Sequence, residues 1–159
     1  MIRDPADAAA YEHLPSVHGV TCALITDTAG RVLLVKPNYR DHWTIPGGYL
    51  EHDEPPRQGC ARELHEELGL SLEIGDLLML DWAPPHPPRP RPIVCWVFDA
   101  GTLTDTRIAD IRLQYEELDD HAFVTPEQAT RMLPANVAPR IPTALHARGL
   151  QTSASRSGT

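Results

Sequence analysis

Apolar positions along this chain fall into blocks whose period switches from strand-like to helical and back. Residues 17–26 are apolar and rich in β-branched side chains, Asp27 to Gly30 carries turn chemistry, and residues 31–35 are apolar again. That pattern predicts a β-hairpin. A loop is expected over 37–41, and a short strand over 49–51 after the glycine pair Gly47-Gly48. From Pro55 the period becomes helical: Cys60, Leu64 and Leu68 recur every four residues and define a buried stripe, and Gly69 supplies the stop. Proline is tolerated in the first turn, where its missing N–H has no intrahelical partner, and Glu54 just before it suits the positive end of the helix dipole. Strands follow at 72–82, 93–100 and 117–124, with helices at 126–132 and about 142–148. Six prolines crowd into residues 84–92, which excludes a helix or central strand and predicts an extended, polyproline-like loop. Strands interleaved with a few helices give an α/β sandwich with a mixed sheet.

Domain organisation follows from the same pattern. Residues 1–15 hold few large apolar side chains and read as a flexible leader, 16–149 as one domain, and 150–159, rich in Ser, Thr and Gly, as a disordered tail. At 42% hydrophobic and 23% charged residues, 159 residues suffice for one soluble core and not for two. No stretch reaches the length of a signal-peptide core or a membrane span. A formal charge of −8 disfavours nucleic-acid polymers and anionic membranes, which attract clustered Lys and Arg. Cys22, Cys60 and Cys95 are odd in number, widely spaced and each in an apolar stretch. They read as buried free thiols in a reducing cytoplasm.

The signature helix carries a second stripe. Glu63, Glu66 and Glu67 stand at i, i+3 and i+4, so their carboxylates leave one face, offset from the buried one. Like charges at that spacing weaken a helix by a few tenths of a kcal/mol per pair, roughly. A divalent cation between them reverses the sign, and hard oxygen donors suit Mg²⁺ or Mn²⁺. An acidic stripe alone is ordinarily a solvated helix face. Here it sits in a longer pattern: Gly48, Glu54, Arg62, Glu63, Leu64, Glu66, Glu67, Gly69 and Leu70. That pattern resembles the signature of the Nudix hydrolases, glycine, five residues, glutamate, seven residues, then Arg-Glu-apolar-x-Glu-Glu-x-Gly-apolar. Every fixed position is filled.

The resemblance implies a Nudix-type α/β/α sandwich and a divalent-metal-dependent hydrolase of a diphosphate bond. The substrate class it implies is a nucleoside diphosphate linked to another moiety. Glu63, Glu66 and Glu67, helped by the backbone carbonyl near Gly48, would ligate Mg²⁺ or Mn²⁺. Arg62, partly off the acidic stripe, would orient a motif glutamate with its bidentate fork, assisted by Glu54. A carboxylate must take the proton of the attacking water, either Glu66 on the helix or an acid in a later loop. Glu117, six residues before Phe123, is the preferred later acid and Glu116 the second choice. Asp119 and Asp120 read as ordinary surface acids.

Substrate contacts are less defined. Tyr39 and Trp43 could stack on a planar ring, although Trp43 equally suits a core position. Arg40, Arg89 and Arg91 are candidates for phosphate contact. Pro85 lies fifteen residues after Leu70, a spacing linked in parts of the family to ADP-ribose hydrolysis, but the local proline density makes the match uninformative. His65 is expected to face solvent, and the eight histidines show no zinc-ligand spacing. Three rival readings remain. An isopentenyl-diphosphate-type isomerase needs a carbon-protonating group such as a cysteine in the pocket, and no cysteine is evidently placed for it. A non-catalytic nucleotide-sensing module normally has damaged motif glutamates, and a messenger-RNA cap hydrolase would want a basic path. Dimers are common among such proteins, so a homodimer stays open as a partner.

Overall fold

The computed structural model describes residues 9–157. The first eight residues of the expected leader lie outside them, and Ala9–Glu12 forms a short helix, α1. Five strands, β1 (His18–Asp27), β2 (Val32–Pro37), β3 (Leu77–Ala83), β4 (Ile93–Leu103) and β5 (Leu118–Val124), form one mixed sheet in the order β3-β4-β1-β2-β5. β1 runs parallel to β4, and the other pairings are antiparallel. Helix α2 (Pro56–Leu68) covers one face, and α4 (Pro126–Met132) with α5 (Arg140–Ser157) covers the other. The expected α/β sandwich with a mixed sheet is the observed fold.

β1 and β2 read as continuous apolar runs because both their faces are buried. Ala23, Ile25, Leu33 and Val35 point to α2, where they meet Cys60, Leu64 and Leu68. The alternate residues Cys22, Leu24, Val32 and Leu34 point to the opposite layer, against Ala129, Ile141 and Ala144. The period of two along each strand therefore fills two cores at once.

The hairpin is closed only at its turn. Thr26 pairs with Val32, and beyond that the strands separate. Residues 44–50 run through the gap: Val35 and Thr44 exchange backbone hydrogen bonds of 3.0 and 2.9 Å, while the N–H groups of Ala23 and Thr21 donate to the carbonyls of Pro46 and Gly48 at 2.9 and 2.8 Å. The strand expected at 49–51 is reduced to a single bridge from Tyr49 to Val20. Gly47 makes this threading feasible. It has φ +135°, and a Cβ there would lie 2.1 Å from the Thr21 carbonyl oxygen and 2.9 Å from Cys22 Cα.

Other boundaries differ for identifiable reasons. The strand expected at 72–82 begins only at Leu77. Its first part is apolar and packs, but Arg57 donates to the carbonyls of both Ile74 and Gly75 and occupies acceptors a ladder would need. Residues 84–92 form a turn and not an extended polyproline segment. His86 and Arg89 exchange backbone hydrogen bonds of 3.1 and 2.7 Å around a cis Pro87–Pro88 bond, and the Arg89 side chain donates to the carbonyls of Pro84 and Arg91. A short helix, α3 (Asp105–Ala109), is an addition, capped by Thr104. α5 begins two residues earlier than expected and runs to Ser157, through most of the segment whose composition suggested a disordered tail. Among the described residues no helix is long and apolar enough to cross a membrane.

Leu64 is fully buried between α2 and the sheet. Leu64→Ala should lower unfolding free energy by about 2–5 kcal/mol, the usual range for a buried leucine truncation. Chemical denaturation measures this. A loss below about 0.5 kcal/mol, the level typical of surface substitutions, would show that α2 is not seated as described.

Candidate active site

α2 starts at Pro56 with Pro55 as its N-cap and ends on Gly69, whose N–H bonds the His65 carbonyl at 2.9 Å. The segment before it folds back so that Glu54 lies beside the helix. Gly59 gives it room: a Cβ there would meet Glu54 Oε2 at 2.8 Å and Leu50 Cδ2 at 2.5 Å. A glycine inside a helix weakens it by roughly 0.5–1 kcal/mol relative to alanine, so its presence within the signature marks a close approach. It was not singled out in the sequence, although an interior glycine is the signal for such an approach.

Arg62 is the hub. Its Nε and Nη2 grip Glu54 bidentately, both at 2.9 Å, and Nη2 also donates to the Tyr49 carbonyl at 3.0 Å. Nη1 reaches Glu63 at 3.0 Å and Glu66 at 2.9 Å. The spacing placed Arg62 partly away from the acidic stripe. Instead its long stem turns the guanidinium into it, because three carboxylates surround that position. The Arg62 contacts, first, and the Glu51 N–H, next, hold the Glu54 carboxyl far below its ordinary range, at about 2.

Glu67 is different. It is only 6% exposed, and its carboxylate accepts one hydrogen bond, from the Gly47 N–H at 2.8 Å. Burial pushes it up to about 8 against that hydrogen bond, and the charges of Glu63 and Glu117 act in the same direction. Burial also raises Glu63, opposed by Arg62, with Glu66 and Glu117 adding to the rise. Glu117, just before β5, thus lies close enough to the motif carboxylates for its charge to bear on Glu63 and Glu67. Its placement follows from Asn38, whose N–H bonds the Glu117 carbonyl at 2.9 Å and whose side chain bonds the Glu116 carbonyl at 2.8 Å. The same tie sets Tyr39 beside the acids, since Glu117, Glu67 and Glu63 all bear on its hydroxyl.

Whether these residues fit a divalent cation can be judged from the donors. The Glu63 carboxylate lies over Gly48, where a Cβ would sit 2.5 Å from it, so carboxylate and backbone approach as a mixed oxygen site requires. Glu67 is a desolvated carboxylate short of positive charge. Glu63 and Glu66 each give Arg62 one oxygen and keep the other clear of it. Among the described residues no three acids, histidines or cysteines already close on one point. The chemistry fits a hard cation, with Arg62 sharing Glu63 and Glu66.

A cleft opens from Glu67, Gly47 and Gly48. Its deep part, about 280 Å³, reaches Tyr39, Arg40, Asn136 and Arg140, and it continues into a groove of about 700 Å³ with Trp82, His86 and Arg89 on its walls. Arg40 and Arg89 both line the cleft. Arg91 instead lends its carbonyl to Arg89. Trp43 packs in the core layer under α4 and α5. His65 is exposed as expected.

Arg140, Asn136 and Trp82 escaped sequence reasoning. Arg140 had one available signal, a cation in the first turn of α5, where the helix dipole disfavours positive charge. Its compensation is Asp81, at 2.7 Å from Nε.

A mixed sheet sandwiched by helices, with an Arg-centred carboxylate cluster at the mouth of a cleft, defines the class. The model of the NUDIX domain matches residues 16–146, and the chain belongs to that family. Members generally use divalent metals and act on small nucleoside diphosphate derivatives. The chain is 39% identical over 64 residues to a MutT-like protein of Streptomyces ambofaciens, covering 40% of this chain and 42% of that one. It is 46% identical over 48 residues to diphosphoinositol polyphosphate phosphohydrolase 2 of Rattus norvegicus, covering 30% and 27%. These matches span less than half of either relative. The crystal structure of a MutT protein from Methanosarcina mazei Go1 superposes with a TM-score of 0.70 at 25% identity, covering 84% of this chain and 96% of that one.

Because Glu54 titrates at about 2 in the folded chain against 4.5 for the unperturbed side chain, it stabilises the fold above about pH 4.5. That contribution is lost as pH falls through about 2. Thermal melts should show Glu54→Gln less stable than wild type near neutrality, with the gap closing across this window. A gap independent of pH would mean that the Arg62–Glu54 pair does not contribute to stability through charge.

Proposed function

We propose that this protein hydrolyses the diphosphate bond of a nucleoside diphosphate linked to another moiety, in a divalent-metal-dependent reaction. The observation that carries the reading is the continuity of the cleft, which leads from Glu67 and Gly48 to the cationic pair Arg40 and Arg89. A substrate with a diphosphate and a further group has anionic and apolar parts in the order this cleft offers, with Trp82, 59% exposed, available to a ring.

Glu63, Glu66, Glu67 and the Gly48 carbonyl would hold Mg²⁺ or Mn²⁺. Bound there, the cation would polarise phosphoryl oxygens and make a water acidic enough to attack. The protein's own part is positional. Glu54 fixes the Arg62 fork, Arg62 fixes Glu63 and Glu66, and the Gly47 N–H fixes Glu67. Glu66, exposed on α2, and Glu117, whose charge bears on Glu63 and Glu67, are the two acids suited to take the water's proton. The net charge of −8 supports a small substrate over a polyanionic one. Three free cysteines are in keeping with a reducing, cytoplasmic setting.

One observation keeps an isomerase reading in play. Cys22 borders the deep cleft, where no cysteine was expected. Its sulfur, however, lies 3.6 Å from that of Cys95, and that contact, together with burial, holds its proton tightly.

Glu66→Gln or Glu67→Gln should lower turnover by about 10²-fold or more, with the fold intact by melting. Arg62→Lys should lower it by about 10- to 100-fold, because an ammonium cannot grip Glu54 and reach Glu63 together. A panel of nucleoside triphosphates, nucleotide sugars, ADP-ribose, dinucleoside polyphosphates and prenyl diphosphates, run with Mg²⁺ and Mn²⁺ in ¹⁸O-labelled water, tests the reaction. Label should appear on a product phosphate. Full activity in excess chelator would remove the metal from the reading, and an unlabelled product of unchanged mass would replace hydrolysis with isomerisation.

A further inference from the structure

Behind the cleft wall lie two sulfurs and a cation that the proposed hydrolysis does not use. Cys95 on β4 is paired with Val20 on β1, and Cys22 is the next residue along β1 on the same face. Their Sγ atoms are 3.6 Å apart. A disulfide bond is about 2.05 Å long, so closure needs the sulfurs to approach by roughly 1.5 Å. Arg140 Nη1 lies 3.3 Å from Cys95 Sγ, and its Nε is fixed by Asp81. A guanidinium so placed favours the thiolate, the nucleophilic form of cysteine. Cys22 and Arg140 both border the deep cleft, and Cys95, itself fully buried, lies directly behind them.

Cys60 provides an internal contrast. It sits on the α2 side of the sheet, opposite the pair, and its thiol lies against the Cys22 carbonyl. Burial pushes it up to about 12, and the charge of Arg57 offsets only part of that rise.

We propose that Cys22 and Cys95 are a peroxide-responsive thiol pair whose closure to a disulfide lowers activity by shifting Gly47 and, through it, Glu67. The Cys95 thiolate attacks one oxygen of a hydroperoxide. An S–O bond forms, the O–O bond breaks, and the leaving oxygen departs as hydroxide or alkoxide and takes up the proton that Cys95 released on ionising, leaving a sulfenic acid. Cys22 sulfur, losing its proton, then attacks Cys95 sulfur. The S–S bond forms, the S–O bond breaks, and hydroxide leaves with that proton as water. With hydrogen peroxide the sum is two thiols and one peroxide to one disulfide and two waters.

Coupling to the site is mechanical. The Cys22 backbone is packed against Gly47 so closely that even a Cβ on Gly47 would lie 2.9 Å from Cys22 Cα. The Gly47 N–H is the hydrogen-bond donor to Glu67. Drawing Cys22 toward β4 therefore withdraws the support of a proposed metal ligand. Loss of such support elsewhere costs about 10- to 100-fold in activity or metal affinity.

The test treats the purified full chain with stoichiometric hydrogen peroxide, alkylates it after unfolding and maps thiols by mass spectrometry. Expected are a cross-linked peptide pair holding Cys22 and Cys95 with loss of two hydrogens, an alkylated Cys60, and full reversal by dithiothreitol. Hydrolytic turnover should fall by about tenfold on oxidation and return on reduction. Cys95→Ala should keep its basal turnover and become insensitive to peroxide. Alkylation of all three cysteines after peroxide, or irreversible oxidation of Cys95 without a cross-link, would overturn the thiol pair. A disulfide that leaves turnover unchanged would overturn the coupling. The turnover arm rests on the hydrolase reading. The mass arm does not, so a protein inactive on every substrate still decides whether the pair closes, and wild-type mapping decides it even if Cys95→Ala fails to fold.

Discussion

One guanidinium holds the site together. Four carboxylates, Glu51, Glu54, Glu63 and Glu66, come within 4 Å of Arg62, and two of them, Glu63 and Glu66, lie one turn apart on the same helix. Without a central cation these charges would splay α2 from the segment preceding it. The planar fork resolves the conflict by taking Glu54 with two parallel bonds and leaving Nη1 for the helix acids. Everything nearby conforms to this: a glycine at position 59 for clearance, and the Tyr49 carbonyl turned inward as a further acceptor. Glu67 escapes, one helical turn beyond Glu63 and deeper, where among the described residues a backbone N–H is its one hydrogen-bond donor.

Parts of this were legible from the chain itself. The α2 boundaries followed from Pro55, Gly69 and the Cys60-Leu64-Leu68 stripe, because capping and period are local properties. The acidic stripe was legible for the same reason, as was α4, whose bounds Pro126–Met132 match the expected ones. What failed was non-local. Nothing in residues 17–35 says that the hairpin will open to admit residues 44–50, since alternation looks the same whichever strand is the neighbour. Arg57 capturing two carbonyls seventeen and eighteen residues away delays β3 in a way no propensity encodes. The proline-rich stretch was read by composition as extended, whereas Arg89 supplies the hydrogen bonds that close it.

The candidate site divides in the same manner. Its motif acids lie in one contiguous stretch and could be named, and Glu117, proposed from its spacing to Phe123, lies near enough for its charge to bear on Glu63 and Glu67. Its opposite wall is assembled from β3, the 84–92 turn and the stretch from Asn136 into α5, three places that share no sequence pattern. Asn136 and Arg140 belong to that wall. A short motif records the chemistry that must be placed to a fraction of an ångström, and the surrounding fold records what the chemistry is applied to.

The threading of residues 44–50 between β1 and β2 also bears on how the chain reaches its native state. β1 finds its register on β4, through partners as distant in sequence as Cys22 and Val97, and β2 finds its own on β5. The two strands nearest in sequence are thus the least paired with each other. Such non-local pairing carries the entropic cost of closing long loops before contacts repay it, and folding slows accordingly. Gly47 and Gly48 occupy the space between β1 and β2, two strands that are each held in register by these distant partners. The carboxylate motif is complete by residue 70, but the cradle beneath it exists only after the sheet has closed from both edges.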